Sequence, residues 1–287
     1  MPLSLLAGCK KEVSFDATGI FEATTVTVSS ETSGKILAMD ISEGDSVLKG
    51  EIVAVIDTTL LVLQQKQINS QRSSTVSSSP DIEAQASALR MQILHQQHEC
   101  ERLGRLLSDG ATTQKQFDDA QSQLKVLQGQ LTSLLSILSK SKTSISDNAV
   151  AMSYQSEQIQ EQINKSTVYS PISGCVLLKY AETGEFATPG HPLYKLADLN
   201  NIYLRSYFTV SQLADLKIGQ KVTVIADFGG DKQFEYPGTI TWIAEESEFT
   251  PKSIQTNDSR ANLVYAVKIA VKNDGRIKLG QYGEVKL

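Results

Sequence analysis

Two stretches of this chain share one glycine spacing, although a long segment of another kind separates them. Their glycines follow one another at intervals of ten and then six residues, at Gly34, Gly44 and Gly50 in the first stretch and at Gly174, Gly184 and Gly190 in the second. Each stretch ends in a short apolar run, residues 52–56 and 193–196. Glycine suits tight turns that need positive φ, and short apolar runs suit small paired strands. The spacing therefore predicts one small β domain whose two similar halves are separated by an insertion.

The insertion has the period of a coiled coil. In its second part, apolar residues recur at intervals of three and four, at Phe117, Ala120, Leu124, Leu127, Leu131, Leu134 and Leu138, and more thinly at Ile145, Ala149, Met152, Ile159 and Ile163. The first part has its own seam at Ile82, Ala86, Leu89, Ile93, Gln96, Cys100, Leu103 and Leu107. These are a/d heptad patterns, which predict two helices over residues 61–107 and 114–163.

The segment between the two predicted helices, residues 108–113, has the composition of a helix stop followed by a restart. Gly110 can take the left-handed conformation that ends a helix, and Thr113 and Gln116 have the spacing of a capping box. The acidic pair that follows, Asp118 and Asp119, suits the positive start of a helix. Because two helices joined by so short a turn must lie antiparallel, an intramolecular hairpin is favoured over a coiled coil between chains.

The first predicted helix contains one weak stretch. Residues 70–79 include six serines, and Pro80 follows them. Serine competes for backbone hydrogen bonds and proline is favoured at helix starts, so we predict a break and a fresh start near Ser79 and Pro80.

The remaining sequence favours β structure. Residues 13–28 read as extended, and residues 202–208, 221–225, 239–244 and 263–271 are rich in β-branched and aromatic side chains. Residues 211–216 could form one short helix. We predict a small β-barrel completed by a strand from residues 13–21. The predicted fold class is α+β and multi-domain: a split β-sandwich, an inserted antiparallel helical hairpin, and a β-barrel.

Composition and motifs exclude several classes of function. The formal charge of −5 and the lack of a basic cluster argue against a nucleic-acid partner, and no run of eighteen apolar residues could span a membrane as a helix. No catalytic triad, paired-carboxylate motif, phosphate-binding loop or zinc-hydrolase motif occurs, and His191 lies beside Pro192 in a repeat turn. We therefore expect no enzyme, no cofactor and no metal.

The cysteines and histidines are candidates for a metal site or for a covalent modification. His95 and His98 lie near Glu99 and Cys100, which invites a metal interpretation; however, Cys100 falls on the seam and the histidines do not, so a solvated helix flank is favoured. Cys100 and Cys175 are interpreted as small buried apolar residues. Near the start, Leu6, Ala7, Gly8 and Cys9 match the lipobox of bacterial lipoproteins, in which the cysteine is acylated, although few apolar residues precede it. The signal is then shortened, or Cys9 is a chance residue in a disordered tail.

The glycine frame resembles that of lipoyl and biotinyl carrier domains, but the helical hairpin stands where those carriers have their modified lysine. The order of split lipoyl-like domain, inserted hairpin and barrel is similar to that of the HlyD-like membrane fusion proteins, the periplasmic adaptors of bacterial export. Arg102, Leu106 and Thr113 match the R-x3-L-x6-S spacing of that family's hairpin tip, with threonine for serine, and Phe117 to Ala120 follow as in the family. Residues 248–260 and 263–268 resemble a barrel segment of adaptors that serve ABC-type exporters. Residues 280–283 depart from the family, which usually has Pro-Gly-Met there.

The resemblance implies a function and a set of partners. We expect a lipid-anchored periplasmic adaptor, acylated at Cys9, that links an inner-membrane ABC-type exporter to a TolC-like outer-membrane channel in a Gram-negative bacterium, as a homo-oligomer, by family a hexamer. Arg102, Leu106 and Thr113 would dock on the channel, although Arg102 could be only a solvated charge and Thr113 only a helix cap. Leu106 points away from the seam, so we expect it to be exposed.

The resemblance also sets domain bounds and alternatives. The expected domains are a tether (1–12), a strand that joins the barrel (13–28), the first lipoyl half (29–57), the hairpin (58–165, tip 107–113), the second lipoyl half (166–197) and the barrel (198–287). One alternative is an adaptor of an RND pump, although such adaptors usually carry a further domain after the barrel. The other, of a different class, is a lipoyl or biotinyl carrier of an enzyme complex; the missing lysine motif argues against it.

Overall fold

The structure is a computed structural model that describes residues 15–229, 233–249 and 263–287. It contains two compact units. One consists of Met1–Ile56 and Thr167–Leu287, and the other is the insertion, Asp57–Ser166. The insertion is helical, whereas the segments on either side of it form β structure.

The helical unit contains three long helices, α1 (Thr59–Ser77), α2 (Ile82–Ser108) and α3 (Gln114–Lys165), in a fully described segment. Both α1 and α2 pack along α3, so the first arm of the hairpin is interrupted and the second is continuous. The break lies where it was predicted, and the serines up to Ser77 remain helical. Pro80 does not begin the new helix, since Asp81 caps α2 by accepting a hydrogen bond from the Ala84 N–H (3.0 Å).

The predicted heptad seam is the buried face of the hairpin. Its buried members are Ala86, Ile93 and Cys100 on α2, and Ala120, Leu138, Ala149 and Ile159 on α3. Because these residues from both arms pack within one chain, the hairpin prediction is confirmed over the intermolecular alternative. Helix α1 buries no residue completely, which is consistent with its lack of a regular apolar seam.

The other unit is built from strands. They are β1 (Ala17–Ser29), β2 (Gly34–Ala38), β3 (Ser46–Val47), β4 (Ile52–Ile56), β5 (Thr167–Tyr169), β6 (Gly174–Lys179), β7 (Phe186–Ala187), β8 (Pro192–Thr209), β9 (Lys221–Asp227), β10 (Gln233–Ile243), β11 (Glu248–Phe249), β12 (Leu263–Lys272) and β13 (Tyr282–Lys286). A short helix, α4 (Val210–Leu213), follows β8. It is shorter than the predicted helix, which was expected to reach residue 216.

The two halves of the glycine repeat interlock to form a β-sandwich. Strand β2 of the first half pairs with β7 of the second, and β3 pairs with β6. The strand order in one sheet is β5-β4-β2-β7, and the opposite sheet contains β1, β8, β6 and β3. Between the sheets lies an apolar core that includes Ile36, Ile56, Val176, Leu193 and Leu196.

Equivalent hydrogen bonds recur across the two halves, with each partner displaced by 140 residues. Gly44 N donates to Val176 O (2.9 Å), and Gly184 N donates to Ile36 O (2.8 Å). In the same way, Gly50 N donates to Ser170 O and Gly190 N donates to Ser30 O, both at 2.8 Å. Each half therefore supplies backbone hydrogen-bond partners to the other. A stable sandwich requires both halves, because these backbone groups would otherwise lack partners.

Among the described residues, six strands close into a barrel, in the order β1, β8, β12, β10, β9 and β13, with β13 pairing back to β1. Its interior is filled by apolar side chains, including Phe21, Leu204, Phe208, Val224 and Ile269. The predicted barrel and the participation of an N-terminal strand are both confirmed.

The sandwich and the barrel share β1 and β8, which run through both. The sequence suggested separate strands over residues 193–196 and 202–208, but β8 is continuous and contains both. Between Ala197 and Ile202 it places four residues opposite a single residue of β1, Thr24, so three residues are extra. The Asp198 side chain holds this irregularity by accepting hydrogen bonds from Asn200 N, Asn201 N and Asn201 Nδ2.

Candidate functional site

The turn between α2 and α3 is tightly specified by the backbone. Gly110 has a φ of 69°, in the left-handed region that glycine adopts without a Cβ clash. The Ala111 N–H donates to Leu106 O (2.8 Å) and the Gly110 N–H donates to Leu107 O (3.1 Å). These two bonds form a Schellman motif, which satisfies carbonyls at the end of α2 that would otherwise lack partners.

Thr113 starts α3 through a complete capping box. Its hydroxyl accepts from Gln116 N (3.4 Å), and the Gln116 side chain accepts in return from Thr113 N (3.3 Å). The predicted capping box is therefore confirmed. Thr113 itself is exposed at the tip.

Arg102 forms a two-point ion pair nearly two turns before the end of α2. Its Nε and Nη2 donate to the two carboxylate oxygens of Glu99, at 3.0 and 2.5 Å. These hydrogen bonds hold the pKa of the Glu99 carboxyl below its ordinary value and raise the pKa of the Arg102 guanidinium. The Arg102 side chain is 59% exposed, so the pair fixes its direction while leaving its remaining N–H donors open to solvent.

Leu106 lies on the same face of α2 as Arg102, four residues further on. We expected it to be exposed, but it is half-buried. Its carbonyl belongs to the Schellman motif, in which the chain folds back over the last turn of α2 and the Ala111 N–H bonds to Leu106 O. The structure thus brings Arg102 and Leu106 to one helix face, and Thr113 follows directly after the turn.

The possible metal cluster on α2 does not assemble. Cys100 is buried in the seam, whereas His95 and His98 are exposed. Glu99 is engaged by Arg102, and His98 Nδ1 lies 3.8 Å from Glu101. Across the described ranges, no group of three or more His, Cys, Asp or Glu side chains is placed to hold a metal ion.

The repeat glycines do two different tasks. Gly44, Gly50, Gly184 and Gly190 have positive φ, as the turn interpretation requires. Gly34 and Gly174 do not; they begin strands β2 and β6, so the turn prediction is wrong for these two. Cys175 also differs from expectation, since it is only partly buried and its thiol donates to Gly44 O (3.4 Å).

The outer face of the barrel carries a row of cations and aromatic rings. Lys268 lies over the rings of Tyr203 (4.7 Å) and Trp242 (5.4 Å), and its cross-strand partner is Arg205. Arg205 Nη2 donates to Glu248 (2.6 Å). Glu248 opens the segment that resembles ABC-exporter adaptors, so the described part of that segment contributes to this face; residues 250–260 lie outside the described residues.

Two residues have structural roles that the sequence did not predict, Glu99 beside Arg102 on α2 and Asp198 in the β unit. Glu99 was considered only as a metal ligand, although its position three residues before Arg102 is the spacing of a helical ion pair. Asp198 was overlooked because the turn it caps interrupts a strand rather than ending one. Cys9 lies outside the described residues, and no helix among those described is long and apolar enough to cross a membrane.

A split sandwich with an inserted helical hairpin, sharing strands with a small barrel, is the architecture of the barrel-sandwich class of proteins. The family described as "RND MFP, barrel-sandwich hybrid domain" matches residues 24–197. The chain therefore belongs to the membrane fusion protein family, the periplasmic adaptors that work with an inner-membrane transporter and an outer-membrane channel in efflux. The family consists of non-enzymatic proteins.

Individual relatives agree with this placement. The chain is 26% identical to a UPF0194 membrane protein of Citrobacter koseri, with 88% of this chain and 82% of the relative covered. It is 24% identical to a UPF0194 membrane protein encoded in the asrC 5' region of Acidithiobacillus ferridurans, with 86% and 79% covered. The crystal structure of MacA from Actinobacillus actinomycetemcomitans has a TM-score of 0.56 at 22% identity, covering 94% of this chain and 76% of MacA, and shows the same fold.

Proposed function

We propose that this adaptor links an ABC-type exporter of the inner membrane to a TolC-like outer-membrane channel, and that it contacts the channel through Arg102, Leu106 and Thr113. The observation that carries the docking role is the two-point Glu99–Arg102 pair beside the turn. It holds an exposed guanidinium in one direction on the helix face that also carries Leu106, and the exposed Thr113 follows the turn. A partner helix tip presents backbone carbonyls, which Arg102 can bind with the N–H donors that Glu99 leaves free.

A cross-linking experiment tests this docking role. Arg102→Asp reverses the charge, so we expect it to abolish cross-linking between the hairpin tip and the channel while the helical circular dichroism stays unchanged. Arg105→Gln and Arg102→Gln form a matched pair, because both remove one positive charge from the last turns of α2. Cross-linking that survives Arg102→Asp, or that falls equally in the two glutamine variants, would refute the assignment.

The proposal also specifies the type of inner-membrane transporter. The similarity of residues 248–260 and 263–268 to ABC-exporter adaptors supports an ABC partner. A second candidate, an RND pump, is favoured by the description of the matching family, which names RND systems. Purification of the full chain with its natural transporter distinguishes them: an ABC partner hydrolyses ATP faster when the adaptor is added, whereas a proton-driven pump has no such activity.

We further propose that the chain works as a ring, with six copies expected from the family resemblance. Exposed apolar side chains lie toward both sides of the β5-β4-β2-β7 sheet: Tyr169 on the edge strand β5 pairs with Ile52 on β4, and Phe186 on the edge strand β7 lies beside β2, which carries Leu37. Two different complementary patches generate head-to-tail contacts, which close into rings. Phe186→Glu and Ile52→Glu should each lower the oligomer mass in native mass spectrometry, whereas exposed Val126→Glu on α3 should not.

The lipid anchor at Cys9 is proposed from the lipobox alone. Intact-mass measurement of the membrane fraction should show a diacylglyceryl-sized addition on the chain, and Cys9→Ser should remove the addition and release the protein to the soluble periplasm. Membrane retention of the Cys9→Ser variant without any added mass would contradict acylation.

A further inference from the structure

The break between α1 and α2 creates a pocket against the continuous helix α3. It has a volume of about 320 Å³ and lies entirely within the helical unit. Its position is next to the break: the lining residues of the first arm, Arg72, Val76 and Ser79, come from the last turns of α1 and the residues that follow it, and they face Ile145 and Ala149 of α3. Small side chains on α3, Ser146 and Ser153 among them, leave the volume open.

The pocket combines an apolar wall with positive charge. Val76, Ile145, Ala149 and Val150 supply aliphatic surface, and Val76 and Val150 are 51% and 47% exposed. Arg72 and Lys142 lie at its border, and no carboxylate belongs to its lining. Part of this aliphatic surface is open to water, and within the described ranges neither Arg72 nor Lys142 forms an ion pair.

We propose that this pocket binds a small single-chain amphiphilic anion, such as an aliphatic carboxylate. The alkyl chain of this ligand would cover Val76 and Val150. Its charged head group would pair with Arg72 and Lys142, and nearby serine hydroxyls would donate hydrogen bonds to it. Charge complementarity excludes an amphiphilic cation, and the apolar wall disfavours a purely ionic ligand. The inference concerns the helical unit alone and does not depend on the type of transporter or on docking at the tip.

Titration of the 287-residue chain with decanoate tests the proposal by calorimetry. We expect saturable binding by decanoate and none by decyltrimethylammonium. Lys142→Gln and Arg72→Gln should each weaken decanoate binding about tenfold, the effect of one charge-assisted contact. Lys140→Gln is the matched control, since Lys140 is an exposed lysine on the same helix that does not line the pocket, and it should bind decanoate as the unchanged chain does.

A further variant, Ser146→Leu, tests whether the occupant of the pocket is a small ligand or a second copy of the protein. Ser146→Leu places an apolar side chain in the pocket, improves helix propensity and keeps both cations, so decanoate binding should be lost while helicity is retained. The proposal is overturned by absent decanoate binding, by equal binding of the cationic probe, or by equal losses in Lys140→Gln and Lys142→Gln. It is also overturned if Ser146→Leu leaves decanoate binding intact but lowers the sedimentation mass, because the occupant is then a second copy of the chain.

Discussion

Gly174 lies so close to Ala197 that a Cβ atom at Gly174 would stand 2.4 Å from the Ala197 carbonyl oxygen. The contact joins β6 to β8 at the point where β8 leaves the sandwich and continues toward the barrel. Backbone atoms cannot move aside as a flexible side chain can, so this position needs glycine for close approach rather than for a turn.

Gly174→Ala should therefore destabilise the β unit by about 1–3 kcal/mol. Trp242, the single tryptophan, lies in the barrel and reports unfolding of that unit in urea by its fluorescence. Gly129→Ala is the control, since Gly129 is exposed in α3 with nothing within 4 Å of an added Cβ. It should leave the Trp242 transition in place and stabilise the hairpin by about 0.5–1 kcal/mol. If the urea midpoint of the Trp242 transition were unchanged in both Gly174→Ala and Gly129→Ala, β6 and β8 could move apart at no cost in the free energy of unfolding.

We expect Asp198 to make the stability of the β unit depend on pH. The hydrogen bond from the Asn201 side chain, with those from the backbone N–H groups, lowers the pKa of Asp198 from its ordinary 3.8. A carboxyl whose folded pKa is depressed adds stability above its unfolded pKa and loses it as pH falls through the folded pKa. Asp198→Ala should lower the melting temperature at pH 7, and the deficit should shrink below about pH 4. A deficit for Asp198→Ala that is constant with pH would contradict the role of the carboxylate.

We expect the cap that Thr113 forms on α3 to stabilise the tip, and this effect can be measured separately from docking on the channel. Thr113→Ala removes the cap of α3 and should cost about 1 kcal/mol at the tip, seen as faster amide hydrogen exchange in the first turn of α3. Thr113→Ser keeps the hydroxyl and should preserve both the slow exchange and the channel cross-linking. Thr132→Ala, in the middle of α3, is the control for loss of a threonine. If Thr113→Ser lost cross-linking while exchange stayed slow, the methyl group rather than the hydroxyl would make the contact.

Glu99 is expected to act as a positioning residue for Arg102. Glu99→Gln keeps one acceptor oxygen and removes the charge, so Arg102 should be held less firmly and cross-linking to the channel should fall, though less than in Arg102→Asp. Arg102→Lys should also lose efficiency, because an ammonium cannot reproduce the two-point contact with the carboxylate. Full cross-linking in Glu99→Gln would mean that Arg102 needs no fixed direction.

Local patterns carried much of this architecture. The alternation of apolar residues at three and four positions places Ala120 and Leu138 in the hairpin core because helical side chains three or four apart share a face. Gly110 and the Thr113–Gln116 pair specified the turn by chemistry confined to a few neighbouring residues. The exposure of Leu106 could not be obtained in that way, since it depends on how the chain folds back after Gly110.

What the sequence determined by itself was the division of the chain: two glycine-spaced halves, an inserted helical hairpin and a following barrel. Each of these rests on interactions between near neighbours or on the period of one element. Only the tertiary structure decided that Gly174 serves close approach, that β8 is one strand through sandwich and barrel, and that Gly44 and Gly184 donate to the opposite half. Those features depend on partners far apart in the chain, and a backbone carbonyl such as that of Val176 or Ile36 carries no side-chain pattern from which its distant donor could be recognised.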